Sequence, residues 1–281
     1  MNIVYLNGQF VAKQDAKVSV LDRGFLFADG VYEVIPVYNA IPFRLEQHLQ
    51  RLDYCLSKVN IDNPYSHQQW VDIINKVIRQ NGAGHMSIYL QLTRGSDVDR
   101  QHVFAEQQVP TVLVMASPLN IDEKHIDSCT ATLLDDIRWQ HCDVKSIALL
   151  ANIMLRNEAQ LRGYDEAILH RDGLVTEGST SNVFVVKDSN IYTPKANHFI
   201  LGGITRDVII EIAENAGLKV HQQDIYTDDL FAADEVWITS SSREISPVRQ
   251  IDDKIIGQGN IGPVARALFS KFQAFKRQLT V

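Results

Sequence analysis

Positive charge is the first thing this sequence has little of. Its 27 Lys and Arg stand against 34 Asp and Glu, giving a net charge of -7 and a pI near 5.7. The basic face that a nucleic-acid binder uses to neutralise phosphates is therefore not expected. Cysteine is scarce and odd in number, with Cys55, Cys129 and Cys142 scattered along the chain. That suits neither a disulfide framework nor a zinc knuckle, and no metal site is expected. No apolar run approaches the length of a membrane span, and Met1-Asn2-Ile3-Val4-Tyr5-Leu6-Asn7-Gly8 lacks a basic region followed by an apolar signal core. The expected setting is the cytoplasm, with no membrane partner. Low-complexity tracts are missing too, while 45% hydrophobic and 22% charged residues describe a globular protein. At 281 residues it can bury a sizeable core and form two domains. Small-molecule chemistry is the class these exclusions leave.

Periodicity and turn residues outline the elements. Short strands are expected at Ile3 to Leu6, Gln9 to Ala12 and Gly30 to Val37, with turns at Asp22-Arg23-Gly24 and Ala28-Asp29-Gly30. Leu45, Leu49, Leu52, Leu56 and Val59 repeat at helical spacing, with Arg51 beside the stripe. Ser66 with Gln69 three residues on is a capping box, opening a helix that stops at Asn81-Gly82. Strands at His85 to Thr93 and Thr111 to Met115 flank a polar loop over Gly95 to Gln107. These elements make a small N-terminal α+β domain over 1–118, joined by a turn-rich linker at Ser117 to Glu123 to a larger domain over 119–281.

In that second domain, strands are expected at Thr130 to Leu134, Glu166 to His170, Leu174 to Glu177, Asn182 to Val186 and Glu235 to Ile238. Helices are expected from about Ala148 to Arg162, from Asp207 to Ala216, and from Pro263 onward. Leu201-Gly202-Gly203-Ile204-Thr205-Arg206 leads into the middle helix. Its glycines allow a close backbone approach, and its free N–H groups suit a phosphate. Thr239-Ser240-Ser241-Ser242 adds four hydroxyls after a strand. Gly257-Gln258-Gly259-Asn260-Ile261-Gly262 fits a dinucleotide fingerprint, but the residues after it leave no room for a second strand with an acidic ribose ligand. It is expected to be an ordinary loop before a helix.

The chemical centre is Lys145, within Asp143-Val144-Lys145-Ser146. A lysine amine attacks a carbonyl only when its ammonium form is disfavoured, by desolvation or by nearby positive charge. Val144 and the run Ile147-Ala148-Leu149-Leu150-Ala151 surround it with apolar residues, and Arg138 and His141 are basic neighbours in sequence. The ordinary reading of such a lysine is a stem lying on apolar surface with its charge in water.

Asp22-Arg23-Gly24, Gly30-Val31-Tyr32-Glu33-Val34, Arg51-Leu52, Asp143-Val144-Lys145-Ser146, Glu177-Gly178, Ser181-Asn182, Leu201 to Arg206 and Thr239-Ser240-Ser241 together resemble the fold-type IV pyridoxal-phosphate enzymes. The resemblance covers nearly the whole chain in the right order. Within that family it is closest to the D-amino-acid aminotransferase group, through Thr93-Arg94-Gly95 and the Arg-x-His of Arg100-Gln101-His102. The loop between Gly95 and Arg100 is slightly longer than in that pattern, which bears on how far the two side chains reach.

The resemblance implies an α+β, two-domain fold with pyridoxal 5'-phosphate at the domain interface, and transamination of D-amino acids such as D-alanine with 2-oxo acids such as 2-oxoglutarate. Lys145 would hold the cofactor as a Schiff base and then move the proton at Cα. Glu177 would pair with the pyridine nitrogen. Arg51, the amides of Ile204 and Thr205, and the hydroxyls of Thr205, Ser240 and Ser241 would hold the phosphate. Leu201 would press on the ring, and Arg138 would approach its phenolic oxygen or Glu177. Tyr32, Arg100 and His102 would bind the substrate carboxylate, the Arg-x-His loop reaching in from a second copy, so a homodimer is implied. A branched-chain L-aminotransferase or an aminodeoxychorismate lyase on the same fold is the alternative reading. A catalytically silent binding protein and a plain NAD-binding module are the remaining ones.

Overall fold

The structure is a computed structural model and describes residues 2–82, 84–97, 99–105 and 109–279. It divides into two units, one comprising the chain up to Ile121 together with Val144–Leu149, the other Asp122–Asp143 and the chain from Leu150 onward. The sequence had suggested a divide after Pro118 with Lys145 on the C-terminal side. The lysine segment groups with the first unit because its backbone bonds there: Lys145 O accepts from Tyr32 N at 3.0 Å, and Ile147 N donates to Gly30 O at 3.0 Å.

The first unit contains β1 (Ile3–Leu6), β2 (Gln9–Ala12), α1 (Arg23–Phe27), β3 (Gly30–Tyr38), β4 (Ile41–Pro42), α2 (Leu45–Lys58), α3 (His67–Gln80), β5 (Met86–Thr93) and β6 (Thr111–Pro118). Its sheet runs β2-β1-β6-β5-β3-β4. Alternation along β3 and β5 turns Val31, Ile35, Ile88, Leu90 and Leu92 into a core shared with Leu49, Leu52 and Leu56 of α2 and Trp70, Ile74 and Val77 of α3. Both halves of the Ser66 capping box form, Gln69 N donating to Ser66 Oγ and Ser66 N to Gln69 Oε1. Asp22-Arg23-Gly24 is more than a turn. Asp22 Oδ1 accepts from Gly24 N at 2.8 Å and so caps α1.

The second unit contains β7 (Cys129–Asp135), α4 (Leu150–Leu161), β8 (Glu166–Arg171), β9 (Leu174–Gly178), β10 (Asn182–Lys187), β11 (Asn190–Thr193), α5 (Ile204–Asn215), β12 (Val220–Gln222), α6 (Thr227–Phe231), β13 (Glu235–Ser240), β14 (Glu244–Ile251), β15 (Lys254–Ile255) and α7 (Pro263–Arg277). Its sheet runs β12-β11-β10-β13-β14-β7-β8-β9, with β15 on β14. Helix α5 opens at Ile204, three residues before the expected start, because Gly203 already serves as its cap. The glycine fingerprint at 257–262 ends at the start of α7, where Glu235 takes the first-turn amides of Val264 and Ala265 at 2.8 and 2.9 Å. A protein carboxylate already occupies that helix end, so it offers a phosphate nothing.

Candidate active site

In the first unit, Lys145 is fixed by its own backbone. Its N–H donates to Cys55 Sγ of α2 at 3.3 Å, its carbonyl is held by Tyr32 of β3, and Nζ lies 4.3 Å from the centre of the Tyr32 ring. One helical turn before Cys55, Arg51 meets Glu33 along both edges of the carboxylate, Nε to Oε1 at 2.7 Å and Nη2 to Oε2 at 2.8 Å. His48 Nδ1 shares Oε2 at 2.7 Å. Glu33 and His48 are both fully buried. Burial alone would raise the Glu33 carboxyl, but Arg51 and His48 outweigh it and hold it far below the usual carboxylate range. Burial drives His48 the other way, toward the neutral ring, against the pull of Glu33. A neutral ring facing a carboxylate carries its hydrogen on Nδ1, and Nε2 is then buried with no partner among the described residues.

The Arg-x-His loop belongs to the same unit. The Cζ atom of Arg100 lies 4.8 Å from the centre of the Phe27 ring, and the His102 ring centre 5.3 Å from it. Both side chains are exposed and share one aromatic support at the end of α1. Of the loop expected over Gly95 to Gln107, Val98, Glu106 and Gln107 lie outside the described residues.

In the second unit, Glu177 sits at the end of β9, buried, with three donors converging on it. Arg138 Nη1 donates to Oε1, while Asn182 Nδ2 and Leu201 N donate to Oε2 at 3.2 and 3.0 Å. Burial pushes this carboxyl up, against Arg138 and the Leu201 amide. Arg138 is itself clamped by Asp136, which takes Nε and Nη2 at 2.9 Å each. Further along, Gly203 caps α5 without a side chain, and buried Ile204 and Thr205 form its first turn. Ser240 ends β13 and Ser241 begins the turn after it, with Ser240 Oγ accepting from Arg243 N at 3.2 Å. Thr239 Oγ1, just before them, is buried with no partner among the described residues.

A family model described as class IV amino-transferase matches residues 30–251. The chain belongs to the class IV aminotransferases. The D-alanine aminotransferase of Listeria monocytogenes strain 10403S is 38% identical over 273 residues, 96% of this chain and 94% of that one. That of Staphylococcus haemolyticus is 37% identical over 278 residues, 98% of each. Among solved structures, the branched-chain amino acid aminotransferase of Escherichia coli superposes with a TM-score of 0.91 at 28% identity, covering 99% of this chain and 95% of that one. The T.th. branched-chain amino acid aminotransferase, complexed with N-(5'-phosphopyridoxyl)-L-glutamate, gives 0.88 at 28% identity over the same shares.

The residues of this aminotransferase fit a pyridoxal phosphate. A Cβ at Gly203 would meet Asn182 Oδ1 at 2.1 Å, so any larger residue there must displace the Asn182 side chain, and with glycine the first-turn amides have no side-chain cap. Hydroxyls of Thr205, Ser240 and Ser241 are donors of the kind a phosphate takes, and Glu177 is a buried acceptor suited to a protonated ring nitrogen. Sequence reading gave no role to Glu33, which holds Arg51 with His48 beside it, or to Asp136, which holds Arg138. The signal for Glu33 was available: it falls on the inward register of β3 with Val31 and Ile35, and a carboxylate there needs a cation.

Proposed function

We propose that this protein transfers the amino group of a D-amino acid such as D-alanine to a 2-oxo acid such as 2-oxoglutarate, with pyridoxal 5'-phosphate carried on Lys145. One observation supports the substrate choice most: Arg100 and His102 stand together on Phe27, two cationic or hydrogen-bonding groups on one apolar support, as a carboxylate requires. The branched-chain enzymes share the fold, and a fold hosts several specificities. The 36–39% identity to D-alanine aminotransferases over nearly the full chain favours the D-amino-acid reading over that alternative.

When bound, pyridoxal phosphate supplies the carbonyl carbon that takes the amine and a ring that draws off the electron pair released at Cα. Lys145 Nζ would take the proton from the substrate Cα as base and, as acid, give it to the cofactor carbon that received the amine. Glu177, held by Arg138, Asn182 and the Leu201 amide, would keep a proton on the ring nitrogen. Arg51, the first-turn amides of Ile204 and Thr205, and the hydroxyls of Thr205, Ser240 and Ser241 would bind the phosphate, and Leu201 would press on the ring. Arg100, His102 and Tyr32 orient the substrate carboxylate, which fixes the enantiomer whose Cα–H meets the lysine. The same reading takes the active form to be a cytoplasmic homodimer, the Arg-x-His loop of one copy serving the other.

The test is the visible absorption of cofactor-loaded protein before and after D-alanine, L-alanine or L-leucine. The band of lysine-bound cofactor should be consumed by D-alanine alone and be missing from Lys145→Ala, which should not turn over. Consumption by L-leucine instead moves the protein to the branched-chain group, and normal turnover in Lys145→Ala removes the lysine from the chemistry.

A further inference from the structure

The Asp22-Arg23-Gly24 motif has no part in the chemistry above, yet Arg23 is among the most densely bonded side chains of the first unit. It is buried to 3% exposure, and its guanidinium points at the loop that carries Arg100 and His102. Nη1 donates to Asp97 Oδ2 at 2.7 Å and to the Gln101 carbonyl at 2.6 Å, and Nη2 donates to the His102 carbonyl at 3.1 Å. Nε donates to Asp29 Oδ2 at 2.9 Å, and Asp29 in turn accepts from Arg94, whose other donors reach the Val59 and Asn60 carbonyls after α2. The Arg23 backbone N–H also donates to the Gly95 carbonyl at 2.8 Å.

We infer that Arg23 is the positioning residue of the Arg-x-His loop: its buried guanidinium ties Asp97, near the loop's entry, to the carbonyls of Gln101 and His102, while its backbone N–H holds Gly95. This rests on the reading of Arg100 and His102 as the carboxylate site. Both those side chains are exposed and rest on a single ring, so most of their order must come from the backbone beneath. The two carbonyls held by Arg23 belong to Gln101 and His102, the residue next to Arg100 and the histidine itself. A fork of five N–H donors reaches a carboxylate on each side and two carbonyls at once. A lysine ammonium presents three donors from one point and cannot span the loop. A binding group held in its bound geometry avoids the ordering cost at each encounter, so the clamp acts on substrate affinity rather than on proton transfer.

The experiment compares cofactor-loaded wild type, Arg23→Lys, Arg23→Gln, Arg100→Ala and the Arg23→Gln/Arg100→Ala double variant. Arg23→Lys keeps the charge between Asp29 and Asp97, so it carries the test if Arg23→Gln does not fold. Two readouts are taken: KM and kcat for D-alanine, and the rate of tryptic cleavage after Arg100, which needs no turnover. The expected result for both Arg23 variants is faster cleavage, an unchanged visible band, and a KM raised about tenfold with little change in kcat. The double variant should show a KM no higher than Arg100→Ala alone, since Arg23 acts through the loop. Cleavage at the wild-type rate in Arg23→Lys overturns the clamp. A double variant whose KM is the product of the two single effects shows that Arg23 does not act through Arg100. A wild-type KM in Arg100→Ala is a different failure, that of the carboxylate-site reading, and the cleavage rates still decide the clamp.

Discussion

Replacing Glu33 by glutamine isolates the charge on which Arg51 depends. In the native protein Glu33 accepts two hydrogen bonds from Arg51 and one from His48, and all of this happens at a side chain with no solvent exposure. Removing one member of a buried ion pair costs about 3–5 kcal/mol, because the remaining charge is left uncompensated. Glutamine keeps one acceptor oxygen for the guanidinium, and Arg51 retains 12% side-chain exposure, so the lower end of that range, ~3 kcal/mol, applies. In a unit of this size that corresponds to a fall in Tm of roughly 6–12 °C. Thermal unfolding followed by circular dichroism on cofactor-free protein measures it, without the mass-action stabilisation a bound cofactor adds. The pH dependence has a definite sign. Glu33 has a folded pKa below its unfolded one, so its contribution is complete above the unfolded value of about 4.3 and is lost as pH falls toward the folded value. The gap between wild type and Glu33→Gln should therefore be full at neutral pH and narrow in acid. An Arg51→Met/Glu33→Gln double variant should be less destabilised than the sum of the two single changes. A Glu33→Gln protein within about 1 kcal/mol of wild type, or additive single effects, would refute the pairing as a source of stability.

Two further outcomes follow from other parts of the molecule. Glu235→Ala strips the N-terminal amides of α7 of their acceptor and should destabilise the protein by about 1–2 kcal/mol in denaturant unfolding, while an unchanged midpoint would mean that water replaces the carboxylate without loss. Gly203→Ala drives a methyl group into Asn182 Oδ1 and so disturbs the bonds from Asn182 to Glu177 and to the Leu201 carbonyl at 2.9 Å. The cofactor should dissociate faster from that variant in a dilution experiment, and wild-type retention would argue that the cap of α5 has no part in holding it.

Local signals carried far in this chain. The apolar repeat of α2, the Ser66 capping box and the alternation along β3 each form as the spacing dictates, because each depends on neighbours within a few residues. Strand β14 was not legible. Pro247 lies within it and ordinarily argues against an inner strand, but it sits opposite Trp237 in a sheet flanked by β13 and β7. Asp22-Arg23-Gly24 looked like a turn and forms a capped helix instead, since Thr93 Oγ1, 71 residues away, also bonds Asp22.

The order and spacing of Lys145, Glu177, Arg51 and the Arg100–His102 pair were written in the sequence, as was the α+β class. Which groups hold those residues was decided by the tertiary structure. Glu33 reaches Arg51 and Cys55 reaches the Lys145 backbone because α2 packs on β3, and Arg23 meets His102 across 79 residues of chain. Periodicity tells which face of an element a side chain occupies. Which buried charge it meets depends on register and packing between distant segments, and these exist only once the chain has folded.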